Sequence, residues 1–133
     1  MRALIDTHAF ITHAFIWWTG EPARLSTLAR NFLIDSENEP VLSLASIWEM
    51  QIKLALGKLS LQLPLSDLVE NEVKQNRLSL LSIELSHIYT LSNLPSHHRD
   101  PFDRLLIAQS RMMRLPIVSV DQKLDVYEVG RLW

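Results

Sequence analysis

The sequence contains no cysteine, which excludes disulfide bonds and metal sites built on thiolates. No apolar run approaches the ~20 residues needed to cross a bilayer, and an acidic residue interrupts the first apolar stretch where a secretion signal would continue. We therefore expect a cytoplasmic protein without a membrane anchor. There is also no Gly-rich phosphate loop, no serine nucleophile motif and no zinc-spaced histidine cluster. The net charge of −2 neither supports nor excludes a nucleic-acid partner.

Short apolar runs alternate with helical periodicity along the whole chain. Strands are predicted at 2–5, 41–44, 78–83 and 117–120, and helices at 7–18, 25–33, 46–57, 64–73, 85–94 and 100–113. The tail from residue 125 is short and mixed. This alternation indicates a parallel sheet of four or five strands between two layers of helices. Because no linker or charge tract interrupts it, we expect one α/β/α domain over residues 1–133.

Four acidic residues stand where a predicted strand ends or a predicted helix begins: Asp6, Glu49, Asp103 and Asp121. In a parallel α/β sheet the carboxyl ends of the strands share one crevice, where ligands bind. Four carboxylates there would repel one another unless a cation neutralised them. Mg²⁺ or Mn²⁺ suits such an all-oxygen site, and a phosphate ester is its usual substrate. The pattern therefore predicts metal-dependent phosphodiester chemistry.

Helix capping is the alternative explanation for each acid. Asp100 is a good N-cap followed by proline at the first helical position, which places Asp103 at the third. Ser46 and Glu49 fit a capping box, and the two strand-end aspartates could each cap the next helix. Capping explains the acids singly but not why all four should share one crevice, so the joint pattern favours a metal site.

Other polar residues give weaker signals. Arg99 and Arg104 flank the acids and are candidate RNA contacts, although a solvated helix start explains them equally well. His97 and His98 are assigned to a solvated loop, and Lys53 to a solvated helix end. The tryptophans are assigned to the core or to an interface rather than to base stacking.

Several segments together follow one family pattern: residues 4–10 (LIDTHAF), 43–59 with the SIWE motif, 98–109 (HRDPFDRLLIAQ), and 116–121 followed by Tyr127. On these motifs the chain resembles the PIN-domain ribonucleases and, within them, the VapC-type toxins of bacterial toxin–antitoxin pairs. The resemblance implies a Rossmann-like sheet, a Mg²⁺ or Mn²⁺ site, cleavage of RNA, a homodimer and inhibition by a cognate antitoxin. It makes the four acids the catalytic metal ligands.

Two other functions stay open on the sequence alone. The acids could serve only as caps or antitoxin contacts, in a PIN domain that binds RNA or antitoxin with attenuated or no cleavage. Alternatively Asp6 could be the covalent acceptor of a phosphoryl-transfer enzyme, although no Asp-x-Asp pair follows the first strand. A metal-dependent endoribonuclease toxin agrees best with all the motifs.

A perfect tandem repeat departs from the family pattern. Residues 7–11 and 12–16 both read Thr-His-Ala-Phe-Ile, which we interpret as a duplication. The repeat contains no glycine or proline, so we expect it to lengthen the first helix by about 7.5 Å, five residues at 1.5 Å each. The rotated register is expected to leave Phe10, Phe15, Trp17 and Trp18 poorly buried, which would invite an intermolecular contact.

Overall fold

A five-stranded parallel sheet forms the centre of the protein in the computed structural model, which describes residues 1–7 and 14–133. The strands are β1 Arg2–Ile5, β2 Glu39–Ser43, β3 Ser79–Leu81, β4 Ile117–Val118 and β5 Arg131–Leu132. Their order is β3-β2-β1-β4-β5, and each neighbouring pair is parallel. Leu4 in the central strand lies opposite Val41 on one side and Ile117 on the other. The predicted α/β class is confirmed, with the larger of the two expected strand counts.

Helices pack on both faces of this sheet. They are α1 Ala14–Gly20, α2 Thr27–Ile34, α3 Leu44–Ala55, α4 Leu65–Gln75, α5 Leu85–Thr90 and α6 Pro101–Met113, with 3₁₀ turns at Pro22–Arg24, Leu91–Asn93 and Gln122–Tyr127. Successive strand residues enter opposite cores: Ala3 and Ile5 join a cluster with the first four helices, whereas Leu4 joins one with α6. None of the helices in the described part of the chain is long and apolar enough to cross a membrane.

Helix α6 begins and ends as the sequence predicts. Asp100 is its N-cap, and its Oδ1 accepts hydrogen bonds from the backbone N–H groups of Phe102 and Asp103 at 2.8 and 3.0 Å. Pro101 occupies the first helical position, which needs no N–H donor. Both the capping prediction for Asp100 and the placement of Asp103 in the first turn are therefore confirmed.

Helix α3 begins two residues earlier than predicted. Ser43, the last residue of β2, is its N-cap and accepts from the backbone N–H of Ala45 at 3.2 Å. The capping box between Ser46 and Glu49 is therefore wrong, because Glu49 lies in the second turn, beyond the reach of the N-cap backbone. The C-terminal prediction is confirmed: Gly57 follows the helix with φ +70°, a conformation that glycine adopts without strain.

The remaining differences concern short elements. The helix expected over residues 85–94 ends at Thr90 and continues as a 3₁₀ turn. In the tail, which gave no clear signal, two residues form the edge strand β5 beside β4. A strand of two residues is too short to show alternation, so only its pairing identifies it.

The second copy of the repeat supplies core residues. The predicted extension of the first helix falls on residues 8–13, outside the described part of the chain, as does Phe10. Phe15 is fully buried, so its predicted exposure is wrong, and Trp17 and Trp18 are partly buried against the same core. The backbone N–H of Phe15 donates to the carbonyl oxygen of Asp6 at 3.3 Å. The helix therefore docks directly beside the end of β1, with its phenylalanine turned inwards.

Candidate metal centre

Two of the acids follow neighbouring strands and are joined by a serine. Asp6 comes directly after β1, and Asp121 comes three residues after β4. The hydroxyl of Ser119 donates to Asp6 Oδ2 at 2.5 Å and accepts from the backbone N–H of Asp121 at 3.0 Å. Ser119 is fully buried and Asp6 is 3% exposed. The parallel sheet thus brings these two carboxylates to the same edge, as predicted.

The other two acids lie close together, Glu49 in the second turn of α3 and Asp103 in the first turn of α6. Carboxylate oxygens of Glu49, Asp100 and Asp103 all lie within 4.8 Å of one another. Glu49 is 3% and Asp103 is 7% exposed. Asp100 therefore has two roles: one of its oxygens caps α6, and its carboxylate lies beside those of Glu49 and Asp103. We call Glu49, Asp100 and Asp103 the acidic cluster.

Thr7 connects the acidic cluster to the strand-end acids. Its Oγ1 donates to Glu49 Oε1 at 3.4 Å, and its backbone follows Asp6 directly. Thr7 is 2% exposed, so this contact lies in the interior. The structure thus brings the four predicted site residues together in two pairs: Asp6 and Asp121 meet through Ser119, and Glu49 and Asp103 meet in the acidic cluster. Thr7, the neighbour of Asp6 in the chain, contacts Glu49 between them.

Lys53 partly balances the charge of this network. Its Nζ lies 3.3 Å from Glu49 Oε2, one helical turn away on α3, and its side chain is only 14% exposed. The assignment of Lys53 to a solvated helix end is therefore wrong, because its side chain is largely covered and pairs with Glu49. Burial raises the pKa of Glu49, and the negative charges of Asp100 and Asp103 raise it further, while Lys53 opposes both.

The chemistry of these donors fits a hard divalent cation. Apart from the Lys53 ion pair, Glu49 Oε2 is buried and has no hydrogen-bond donor in the described part of the chain. A buried carboxylate oxygen without a donor is costly, and a metal ion would satisfy it. Since the cluster offers only oxygen ligands, Mg²⁺ and Mn²⁺ suit it better than zinc or copper.

A family model agrees with this architecture. The model described as the PIN domain matches residues 3–130 of the chain. The chain belongs to the PIN domain family. A search of curated proteins finds no match to its sequence.

Solved structures share the fold of this PIN domain at low sequence identity. The VapBC2 complex of Rickettsia felis, crystallised with a DNA fragment from its promoter, contains a chain that is 11% identical, with a TM-score of 0.68 and coverage of 98% of this chain and 97% of that one. A chain in the FitAcB structure from Neisseria gonorrhoeae is 16% identical, with a TM-score of 0.62 and coverage of 98% and 96%. These likenesses establish the fold over nearly the whole length.

The two arginines near the site of the PIN domain differ in their surroundings. Arg104 directs its guanidinium at four backbone carbonyl oxygens in the segment before α6, those of Leu91, Leu94, Pro95 and His98. These bonds occupy both terminal nitrogens and anchor the loop that leads to Asp100. Arg99 is exposed in that loop. Of the two RNA-contact candidates, Arg99 is therefore the one with an open surface.

Several site residues were not identified from the sequence of the PIN domain. Ser119 and Thr7 are buried polar residues beside strand ends. For Ser119 the available signal is a hydroxyl within an apolar run, and for Thr7 it is the position directly after Asp6. Lys53 stands four positions after Glu49, the spacing of a helical ion pair. His98, assigned to solvent, is 8% exposed and lies against Asp121 and Tyr127. No local signal could have located His98, because its partners are distant in sequence.

The raised pKa of Glu49 predicts how stability depends on pH. The folded protein holds the Glu49 proton more tightly than the unfolded chain does, so stability present below pH 4.5 is lost as the pH rises through the raised pKa. In EDTA, we expect wild type to lose free energy of unfolding relative to Glu49→Gln over that range, as measured by urea unfolding. Glu70→Gln, at an exposed position of α4, is the control. A difference between wild type and Glu49→Gln that stays constant with pH would contradict the prediction.

Proposed function

We propose that this PIN domain is a metal-dependent endoribonuclease toxin that a cognate antitoxin inhibits. The observation that carries the proposal is the acidic cluster, in which oxygens of three carboxylates lie within 4.8 Å of one another with Lys53 as the cation paired to Glu49. Acids that served only as helix caps would have no reason to lie so close together. The family and the fold of the two toxin–antitoxin neighbours support the same reading.

In this proposal Asp6, Glu49, Asp103 and Asp121 hold Mg²⁺ or Mn²⁺ directly or through water. Such an ion, when bound, would supply an activated water and would offset the charge on the phosphate. Lys53 opposes the rise that burial causes in the pKa of Glu49, and so favours the ionised form of this ligand. Asp100 keeps the first turn of α6 in place beneath Asp103.

Binding of the RNA backbone is assigned to the basic loop before α6. Arg99 is exposed and immediately precedes Asp100, so a phosphate at the acidic cluster would lie within its reach. Arg104 supports that loop through its four carbonyl contacts and acts on RNA only through the loop's shape.

The proposed partners are an antitoxin and a second copy of this chain. Helix α3 carries a row of exposed apolar side chains at intervals of four positions: Leu44, Trp48, Ile52 and Leu56, which are 39%, 58%, 36% and 62% exposed. Residues spaced by four lie along one face of a helix, and a continuous apolar face of this kind is typical of an interface. This row supports self-association. The absence of cysteine supports a reducing, cytoplasmic location.

A cleavage assay tests the proposal. Purified protein is incubated with single-stranded RNA in Mg²⁺, in Mn²⁺ and in EDTA, and new 5′ ends are mapped. We expect endonucleolytic cuts with either metal and none in EDTA. Cleavage that persists in EDTA contradicts the mechanism. RNA or antitoxin binding without cleavage in either metal would instead indicate the attenuated binding domain, and acid-labile phosphate on Asp6 would indicate phosphoryl transfer.

A further inference from the structure

A buried tyrosine and histidine stand behind Asp121. His98 Nδ1 lies 3.0 Å from the hydroxyl oxygen of Tyr127, and His98 Nε2 lies 3.3 Å from Asp121 Oδ2. Tyr127 is 2% exposed and His98 is 8% exposed, and their rings pack with centroids 5.3 Å apart. The two residues thus form a chain of polar contacts that ends on a proposed metal ligand.

The hydrogen bonds of Tyr127 determine which nitrogen of His98 carries the proton. The backbone N–H of His98 donates to the Tyr127 hydroxyl oxygen at 2.6 Å. The proton of the hydroxyl itself then has His98 Nδ1 as its acceptor at 3.0 Å, the arrangement in which both donors are paired. In the neutral ring the remaining proton is on Nε2, which faces Asp121 Oδ2. The contact with Tyr127 therefore leaves the Nε2–H of His98 as a donor to the Asp121 carboxylate.

Asp121 is held from two further sides. Its Oδ1 accepts from the backbone N–H of Lys123 at 3.0 Å, so it caps the 3₁₀ turn as the capping alternative proposed. Its own N–H binds Ser119, whose hydroxyl binds Asp6. These contacts hold the backbone and Oδ1 of Asp121 in place, whereas Oδ2 faces the side chain of His98. Rotation of the carboxylate is thus opposed by the histidine.

We propose that Tyr127 and His98 form a buried relay in which His98 is a positioning residue that orients the Asp121 carboxylate toward the metal site. This inference rests on the proposed function, because the role of the relay is to orient one of the proposed metal ligands. Ligating carboxylates commonly depend on such outer partners, whose loss costs about 10–100-fold in metal affinity. The relay acts through a fixed donor rather than through a change in charge.

Two substitutions of His98 separate orientation from packing. In His98→Gln the side-chain amide nitrogen falls near the position of Nε2 and can still donate to Asp121. His98→Asn places its amide near Nδ1, where it can meet Tyr127 but not Asp121. We expect Mn²⁺ affinity, measured by titration calorimetry without RNA, to fall about tenfold or more in His98→Asn, the range for lost outer partners, and to stay near wild type in His98→Gln. His97→Asn is the matched control: it removes the exposed neighbouring imidazole and its edge-on contact with the Tyr127 ring but leaves His98 in place, and is expected to keep Mn²⁺ affinity near wild type.

Equal affinities in the two His98 variants would overturn the relay, whether both are weak or both are normal. Wild-type protein that binds no Mn²⁺ would overturn the proposed metal site and the relay's purpose with it, so the two failures are distinguishable. A second measurement needs no metal: the ¹⁵N shifts of the His98 ring in metal-free wild type are expected to show the proton on Nε2. A proton on Nδ1 would overturn the inference directly.

Discussion

Asp103→Asn is expected to abolish metal-dependent cleavage of RNA by this PIN domain while leaving it folded. The substitution keeps the size of the side chain but removes one of the negative charges that converge in the acidic cluster. Loss of a single preorganised electrostatic group typically costs about 10²–10³ in rate, so we expect at least a fall of that size in Mg²⁺. Cleavage of labelled RNA, measured together with Mn²⁺ affinity, tests this expectation.

Asp67→Asn provides the matched control for this variant. Asp67 occupies the same position in the first turn of α4 as Asp103 does in α6, but it is exposed. Both variants lose a favourable contact with the helix dipole, worth about 0.3–1 kcal/mol. Only Asp103→Asn is expected to lose cleavage. Equal activity in the two variants would show that Asp103 serves only the helix.

Phe15→Ala is expected to destabilise the protein by about 3–5 kcal/mol, the usual cost of removing a buried phenylalanine. Phe15 is fully buried in the core cluster that also holds Ile5 and Met50. Removal of the ring leaves a cavity that the close-packed core cannot fill. Urea unfolding followed by tryptophan fluorescence measures the loss, and Trp18, which packs edge-on against Phe15 at 6.3 Å, lies beside the new cavity.

The repeat itself offers the comparison for this variant. Phe10 has the same local sequence, His-Ala-Phe-Ile, as Phe15. The same substitution at each position therefore reports which copy of the repeat fills the core. A greater loss of stability from Phe10→Ala than from Phe15→Ala would contradict the assignment of the second copy to that role.

The parts of the fold that local chemistry determines could be read from the sequence. The prediction of helix α6 is confirmed because Asp100 and Pro101 are strong start signals at adjacent positions. Asp6 and Asp121 were assigned to one edge because parallel strands end on the same side of a sheet. The alternation of short apolar strands with amphipathic helices likewise predicts the α/β class. In each case the deciding contacts lie within a few residues or follow from strand direction.

Features that depend on distant partners could not be read in this way. Ser43 and Ser46 are both suitable N-caps for α3. In the structure Ser43 is the N-cap, and it is also the last residue of β2, where it pairs with Leu81 in β3. His98 looked solvated because its partner Tyr127 is 29 residues away. Lys53 stands near the end of a helix, yet its side chain is largely covered in the folded protein. Such contacts are products of the assembled fold rather than of any one segment.

The hydrogen bond between Phe15 and Asp6 also bears on what happens if one copy of the repeat is lost from the gene. Asp6 and Phe15 are nine positions apart, and loss of one five-residue copy would leave four, the spacing of an ordinary α-helical hydrogen bond. Deletion of either copy produces the same chain. Each copy is encoded by a whole number of codons, so the deletion preserves the reading frame. The duplication is therefore reversible in one mutational event, and the spacing that the deletion leaves is compatible with the same backbone hydrogen bond.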